Sequence, residues 1–131
     1  MKQASSDVPA SPWVLFIVIE VQPEHIEEFL MLVSEVIDQM RLEPTFISTV
    51  LSRDTDDPGR FALFEIWRDR EEFFSVQLLR PYRQRYSERI GQIGKSSRQI
   101  SEWQQIRADY SLRFQTIRLL RPVRQGRRPV L

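Results

Sequence analysis

The chain has 131 residues, of which 41% are hydrophobic and 11% aromatic, so it is long and apolar enough to fold as one domain with a core. Its 19 basic and 18 acidic residues leave a net charge of +1, which argues against a nucleic-acid-binding surface over the whole domain. There is no cysteine and one histidine, His25, which excludes disulfides, thiol nucleophiles, thiolate metal sites and a multi-histidine zinc site within one chain.

The N-terminal part predicts an arm, a strand and a helix. Residues 1–12 are rich in Ser, Pro and Ala, which predicts a flexible arm. Residues 13–21 are apolar and rich in Val and Ile, as in a strand, and Glu20 favours a strand over a signal peptide. No apolar run approaches the roughly 20 residues that span a bilayer, so we expect a cytoplasmic protein without membrane contact. Pro23 and an apolar stripe at three- and four-residue spacing predict a helix over residues 24–41.

The next segments predict a hairpin. Residues 45–52 alternate between polar and apolar and are β-branched, and residues 60–67 are strongly apolar, so both predict strands. The link between them is DTDDPG at residues 54–59, a turn built from Asp, Pro and Gly. The short link makes the second and third strands neighbours.

A broken helix follows. Asp69, with a glutamate three residues later, has capping-box spacing and predicts a helix to about Leu79. Pro81 interrupts this helix, and a second segment is expected over residues 82–90. The Gly- and Ser-containing residues 91–97 predict a loop.

The C-terminal part predicts a last strand and a basic tail. Residues 98–106 predict a fourth strand, and residues 110–120 are strand-like, either an extra edge strand or an arm that crosses to a partner. Residues 118–131 carry five arginines and no acid. We therefore expect one domain over residues 13–109, followed by a C-terminal strand or arm with a basic tail over residues 110–131.

The predicted order is strand, helix, strand, strand, helix, strand, which indicates an α+β fold of the ferredoxin-like, split βαβ type with an antiparallel sheet. The first strand places Val14 and Phe16 on one face and Leu15 and Ile17 on the other, and the third strand is also apolar on both faces. Two helices can cover only one face, and an antiparallel sheet facing water should be polar on the other. We therefore predict a two-fold homodimer in which the uncovered faces meet.

Five segments occur in a characteristic order: VQPEHIEEFL at 21–30, EPTF at 43–46, LSRDTDDPGRFALFEIWRDREEF at 51–73, RPYRQRY at 80–86 and SEWQQIRADY at 101–110. In this order and spacing the chain resembles the antibiotic biosynthesis monooxygenase superfamily over about residues 14–109. The resemblance implies a dimeric α+β barrel. It also implies cofactor-free oxygenation, in which a deprotonated phenolic substrate itself passes an electron to oxygen.

Three residues are candidates for catalysis. Trp67 matches the tryptophan at the end of the third strand in quinol oxygenases and haem degraders, which implies a pocket wall and an N–H donor, with a buried core aromatic as the alternative. Glu65 lies on the same strand face and would become a base if burial raised its pKa; a buried ion pair with an arginine or a hydrogen bond across the sheet is the alternative. Tyr86 stands where haem degraders have their axial histidine, and an ordinary helix tyrosine is the alternative.

The predicted substrate contacts lie on the broken helix: Phe73, Gln77, Arg80, Tyr82 and Arg83. Either arginine could hold an anionic substrate or a phenolate, and the tyrosine could donate a proton. Gln77 can hydrogen-bond but cannot act as a base. The alternative is a surface helix on which these residues pair with nearby glutamates. Glu20 is a second candidate base, with an ion pair as the alternative. His25 is expected to face solvent, and Trp103 is expected in the core or the dimer interface.

The preferred hypothesis is a cofactor-independent monooxygenase that acts on a small aromatic or quinol-like molecule and uses no metal or cofactor. Two departures from the family pattern keep alternatives open. Leu63 replaces the oxygenases' asparagine, and no histidine stands near Val76 and Gln77. The first alternative is a non-catalytic, ligand-binding or self-associating dimeric domain, and the lesser one is haem binding or degradation.

Overall fold

The computed structural model describes residues 11–113, which form a four-stranded antiparallel sheet with helices on one face. The strands are β1 (Trp13–Glu20), β2 (Phe46–Arg53), β3 (Arg60–Trp67) and β4 (Gln99–Gln104). The helices are α1 (Ile26–Met40), α2 (Arg70–Ser75) and α3 (Pro81–Ile93), with 3-10 turns at Pro23–His25 and Gln77–Leu79. No helix in this part of the chain has the length and hydropathy of a membrane span.

The sheet order is β2-β3-β1-β4, so the first and third strands are central and the second and fourth form the edges. β1 pairs antiparallel with both β3 and β4, with Ile17 opposite Leu63 on one side and Ile100 on the other. This arrangement confirms the predicted α+β, ferredoxin-like fold. The apolar run at residues 13–21, for which Glu20 favours a strand over a signal peptide, contains β1, one of the two central strands.

Helices pack on one face of the sheet and leave the other face uncovered, as predicted. On the inner face, Leu15, Ile17 and Leu63 are buried, and α1 packs Phe29 and Val33 into the same core. On the outer face, Phe16 and Phe64 place their ring centroids 6.0 Å apart without a covering helix. Phe64 is 42% exposed and Trp103, on β4, is 58% exposed, so Trp103 is outside the protomer core.

The β2–β3 turn is held by aspartates and by one glycine. The Asp54 carboxylate accepts hydrogen bonds from the backbone N–H groups of Asp56 and Asp57. The chain then passes so close to Val21 that a Cβ on Gly59 would lie 2.6 Å from the Val21 carbonyl oxygen. Gly59 is therefore required for close approach between two backbone segments.

The predicted cap of α2 is confirmed, but the helix is shorter than predicted. The Asp69 side chain accepts from the backbone N–H groups of Glu71 and Glu72. The Glu72 carboxylate instead accepts from Thr45 Oγ1 at 2.8 Å. α2 ends at Ser75, and a 3-10 turn leads to Pro81, which occupies the first turn of α3.

Two sequence predictions about the C-terminal part are corrected. The loop expected from Gly91 begins later, because α3 continues through Gly91 to Ile93. Ile90 and Ile93 are both buried, and this burial outweighs the roughly 1 kcal/mol that a glycine costs in a helix. β4 ends at Gln104, and the described part of the strand-like segment, residues 110–113, contains no strand. The remainder of that segment and the basic tail lie outside the described residues, as does most of the predicted N-terminal arm.

Candidate active site

A cavity of about 150 Å³ lies between the inner face of the sheet and the helices. Its walls are mainly apolar and come from both central strands, from β4 and from all three helices. The polar or charged side chains that line it are Glu65, Arg83, Tyr86, Ser87 and Arg98. Four predicted site residues therefore meet at one cavity: Glu65, Phe73, Arg83 and Tyr86.

Glu65 is a carboxylate held almost out of water. It projects from the inner face of β3 and is 3% exposed. Its Oε1 accepts a hydrogen bond of 3.0 Å from Trp67 Nε1 and lies 3.9 Å from Arg83 Nη2. Burial raises the pKa of Glu65, and the positive charge of Arg83 and the bond from Trp67 oppose that rise. Glu65 is thus a buried group that can exchange a proton at the cavity wall.

Arg83 and Tyr86 supply hydrogen-bond donors. They lie three residues apart on α3, which places them on one helix face, and both are buried. The Arg83 guanidinium lies over the Phe73 ring, 5.0 Å from its centroid. Within residues 11–113, Arg83 Nε and Nη2 and the Tyr86 hydroxyl have no hydrogen-bond partner. Because a buried donor without a partner costs free energy, these groups indicate a place for a bound oxygen atom.

The hydroxyl of Tyr86 remains protonated at neutral pH. Burial raises its pKa well above the usual value, an effect that the charge of Arg98 reduces and that of Glu65 increases. Tyr86 is therefore a hydrogen-bond donor to the cavity and not a base.

Trp67 stands behind the cavity and does not line it. It is fully buried, and its ring centroid lies 5.2 Å from that of Phe46 and 5.2 Å from that of Phe73. Its N–H is already bonded to Glu65. The geometry matches the predicted core aromatic more closely than a direct substrate contact, and the Trp67 N–H reaches the cavity wall only through its bond to Glu65.

The other predicted substrate contacts gather around Glu43, away from the cavity lining. The Glu43 carboxylate accepts from Gln77 Nε2 at 3.2 Å, Arg80 Nη2 at 3.0 Å and the Tyr82 hydroxyl at 3.0 Å. Although burial raises it, these hydrogen bonds hold the pKa of Glu43 below its ordinary value. Burial and the bond to Glu43 raise the pKa of Tyr82 to about 12. This cluster joins the loop after α1 to the start of α3.

The weaker candidates have ordinary partners. Glu20 lies 3.4 Å from Arg60, and His25 lies 3.2 Å from Glu28. His25 is the N-cap residue of α1, is partly exposed, and does not line the cavity. Among residues 11–113, no group of three or more His, Cys, Asp or Glu side chains is placed to hold a metal ion.

Sequence reasoning missed two charged residues. Glu43 has partners 34 to 39 positions away, and no local pattern indicates them. Arg98 precedes β4 and lines the cavity. Because Ile100 also lines it, the alternation along this strand could have placed Arg98 on the same face. Helical spacing predicts that Arg80 and Arg83 pair with Glu71, Glu72 or Glu88. In the structure their acidic neighbours are instead Glu43 and Glu65, which lie on other elements.

The comparison with protein families decides the classification. A model of antibiotic biosynthesis monooxygenases matches residues 12–77, which is half of the chain. The chain belongs to the antibiotic biosynthesis monooxygenase family. The match includes Glu65 and Phe73 and ends before Arg83, Tyr86 and Arg98.

Solved structures of several distantly related proteins share the fold. An antibiotic biosynthesis monooxygenase is 22% identical, with a TM-score of 0.67, and the match covers 72% of this chain and 99% of that one. Rv0793 from Mycobacterium tuberculosis is 19% identical, with a TM-score of 0.69 and coverage of 76% and 100%. A conserved protein from Methanosarcina mazei Go1 is 15% identical, with a TM-score of 0.67 and coverage of 72% and 93%. A comparison with curated proteins found no match.

Proposed function

We propose that this protein is a cofactor-independent monooxygenase that acts on a phenol or quinol with a single aromatic ring. One observation carries the proposal: a buried carboxylate, Glu65, and the unpartnered donors of Arg83 and Tyr86 face the same apolar cavity. A phenol needs both kinds of group. Its proton requires an acceptor, and its oxygen requires donors that stabilise the phenolate.

The cavity volume sets the size of the substrate. An apolar cavity of about 150 Å³ is the size that accepts benzene. One ring can therefore lie between Leu15 and Leu63 of the sheet and Phe73 of α2, whereas a fused three-ring quinol requires the helices to move. Glu65 and Arg83 lie at the buried end of the cavity, which limits the access of bulk water to the part of the ring that reacts.

The residues fit a balanced reaction. The phenolic hydroxyl gives its proton to the Glu65 carboxylate, while Arg83 and Tyr86 donate hydrogen bonds to the resulting phenolate. The phenolate passes one electron to molecular oxygen, and the phenoxyl radical and superoxide combine to form a carbon–oxygen bond. After protonation the hydroperoxide loses water and leaves a new carbonyl. One oxygen atom enters the product and the other leaves as water, so the substrate itself supplies the electrons.

Trp67 fits this scheme as a positioning residue. Its N–H fixes one oxygen of Glu65 at 3.0 Å, which aims the carboxylate at the cavity. The predicted roles of Gln77, Arg80 and Tyr82 are proposed to be indirect, because their hydrogen bonds to Glu43 hold the start of the helix that carries Arg83.

We propose that the protein works as a homodimer. The outer face of the sheet presents Phe16, Phe64 and Trp103 next to Ile106, which is 87% exposed. An apolar surface of this kind is typical of a protein interface. A second copy offers a matching face through two-fold symmetry, and the predicted cytoplasmic location remains part of the proposal.

A non-catalytic ligand-binding domain is the second candidate, and Leu63 is the observation that favours it. Leu63 lines the cavity where the oxygenase pattern has an asparagine, so one polar group of that pattern is missing. Haem is a poorer fit to the cavity, since four pyrrole rings need several times the space of one ring. Burial of the Tyr86 hydroxyl, which raises its pKa, also works against forming the tyrosinate that would bind iron.

Oxygen uptake tests the proposal. We expect the purified protein to accelerate oxygen consumption by hydroquinone and methylhydroquinone above their autoxidation, and not by a three-ring anthracene quinol. Glu65→Gln should abolish the acceleration, and Glu71→Gln, which changes an exposed glutamate on α2, should retain it. Binding of the single-ring quinols without oxygen uptake would contradict the monooxygenase and support the binding domain.

A further inference from the structure

The cavity carries more positive than negative charge. Arg83 and Arg98 line it, and Glu65 is its one acidic residue among those described. A neutral phenol uses Glu65, Arg83 and Tyr86 and leaves the second guanidinium without a role.

We infer that the substrate of the proposed reaction carries a carboxylate, which Arg98 binds at the mouth of the cavity while the phenolic oxygen lies at its buried end. This inference rests on the proposed site and names the substrate class. It predicts a hydroxybenzoate-like molecule with its two polar groups at opposite ends of one ring.

The position of Arg98 supports the inference. It lies in the loop between α3 and β4, is exposed, and lines the same cavity as the buried Arg83. Within residues 11–113 it has no acidic partner at ion-pair distance, in contrast to Arg70, which lies 2.6 Å from Glu102. A guanidinium is planar and matches the two oxygens of a carboxylate, so a free arginine at a cavity edge suits this group.

The depth of the side chains gives the cavity two distinct ends. Glu65 and Arg83 are 3% and 6% exposed, so the phenolic oxygen that contacts them is buried. Leu78 and Ile100 also line the cavity but are 40% and 57% exposed, and they mark its opening. A ring that carries a hydroxyl and a carboxylate can therefore place the hydroxyl among the buried groups and the carboxylate toward the exposed Arg98.

A matched pair of probes tests the inference. 4-Hydroxybenzoate and 4-hydroxybenzamide have nearly the same shape and differ in the charge opposite the phenol. We expect calorimetric titration at low ionic strength to show at least about tenfold tighter binding of the carboxylate, equivalent to about 1.4 kcal/mol. Arg98→Gln should reduce this preference to about twofold or less, because it removes the charge and leaves the buried donors in place.

Arg85→Gln is the control, since it removes an exposed arginine of α3 that lines a different groove. It should keep the preference of the wild-type protein. Equal binding of the two probes, or a preference that survives Arg98→Gln, would overturn the inference. A preference that Arg98→Gln abolishes, in a protein that consumes no oxygen with any quinol, would support the charged site while refuting the monooxygenase.

Discussion

Glu65 and Arg83 form a buried pair at a separation of 3.9 Å, longer than a good hydrogen bond. Burial works against the charge on Glu65, and the guanidinium and the Trp67 N–H work in its favour. The balance raises the pKa above its ordinary value of 4.5, which is the direction that makes a carboxylate a better base. The sequence placed Glu65 and Trp67 on one strand face, but it could not show that the Trp67 N–H is bonded to Glu65 and that the ring lies outside the cavity lining.

The proposed base predicts a pH dependence of kcat/KM. Activity should rise with pH through a pKa above 4.5, because Glu65 must be ionised to accept a proton. Trp67→Phe removes a hydrogen bond that lowers this pKa, so the rise should move to higher pH. Glu65→Gln should remove the rise and reduce kcat/KM by about 10²- to 10⁴-fold. An unchanged profile in Trp67→Phe would contradict its positioning role.

The Glu65–Arg83 pair predicts that removing Arg83 lowers the free energy of unfolding more at high pH than at low pH. Because the native state holds the Glu65 proton to higher pH than the unfolded state, the contribution of Glu65 to stability is greatest below 4.5 and is lost as the pH rises through the raised pKa. Arg83→Met should therefore destabilise the protein by about 3–5 kcal/mol at pH 8. Urea unfolding at pH 5 should show a smaller cost, since Glu65 then takes a proton more readily.

Glu65→Gln/Arg83→Met is the companion variant for this measurement. With no buried carboxylate left, its stability at pH 8 should exceed that of Arg83→Met. A cost of Arg83→Met that is the same at both pH values would show that Glu65 is not the group left without its partner.

At the scale of elements, strand patterns and turn residues predicted the fold, whereas helix ends were less certain. The alternation in β2 and the DTDDPG turn predicted the hairpin with β3, and the two apolar faces of β1 and β3 predicted a covered and an uncovered side of the sheet. Gly91 suggested a loop because local propensity disfavours glycine in helices. The burial of Ile93 in the core, a tertiary effect with no local signal, extends α3 past that position.

Alanine substitutions at two glycines should change the stability of the protein in opposite directions. Gly91→Ala should stabilise the protein by about 0.5–1 kcal/mol, since its Cβ meets nothing within 4 Å and alanine favours the helix. Gly59→Ala should destabilise it, because the added carbon would lie 2.6 Å from the Val21 carbonyl oxygen. Thermal unfolding of the two variants checks both signs, and a destabilising Gly91→Ala would contradict the helical assignment.

At the scale of the whole molecule, the site is assembled from distant segments. The sequence identified four residues of the cavity, and it grouped Gln77, Arg80 and Tyr82 with them because all lie on the broken helix. Gln77, Arg80 and Tyr82 lie in or next to the turn that joins α2 to α3, and Glu43 binds all three from a loop 34 to 39 residues away. Such contacts depend on packing and cannot be read from spacing along one chain.

The proposed dimer predicts the effect of a charge on the outer face. Phe64→Arg places a guanidinium at the centre of the apolar surface, so sedimentation velocity should show a monomer of 15.7 kDa where the wild type shows twice that mass. Leu42→Arg changes a residue that is 78% exposed in the loop after α1 and should remain dimeric. A monomeric wild type would refute the dimer.

Isotope labelling shows whether one oxygen atom is inserted into a ring held beside Glu65. The single-ring quinol with the fastest enzymatic oxygen uptake is turned over under ¹⁸O₂, and the product is reduced and acetylated at once so that its carbonyl cannot exchange with water. One ¹⁸O atom should enter the product for each molecule of oxygen consumed, and the other should appear in water. A product without ¹⁸O, accompanied by hydrogen peroxide, would contradict the proposed oxygen insertion.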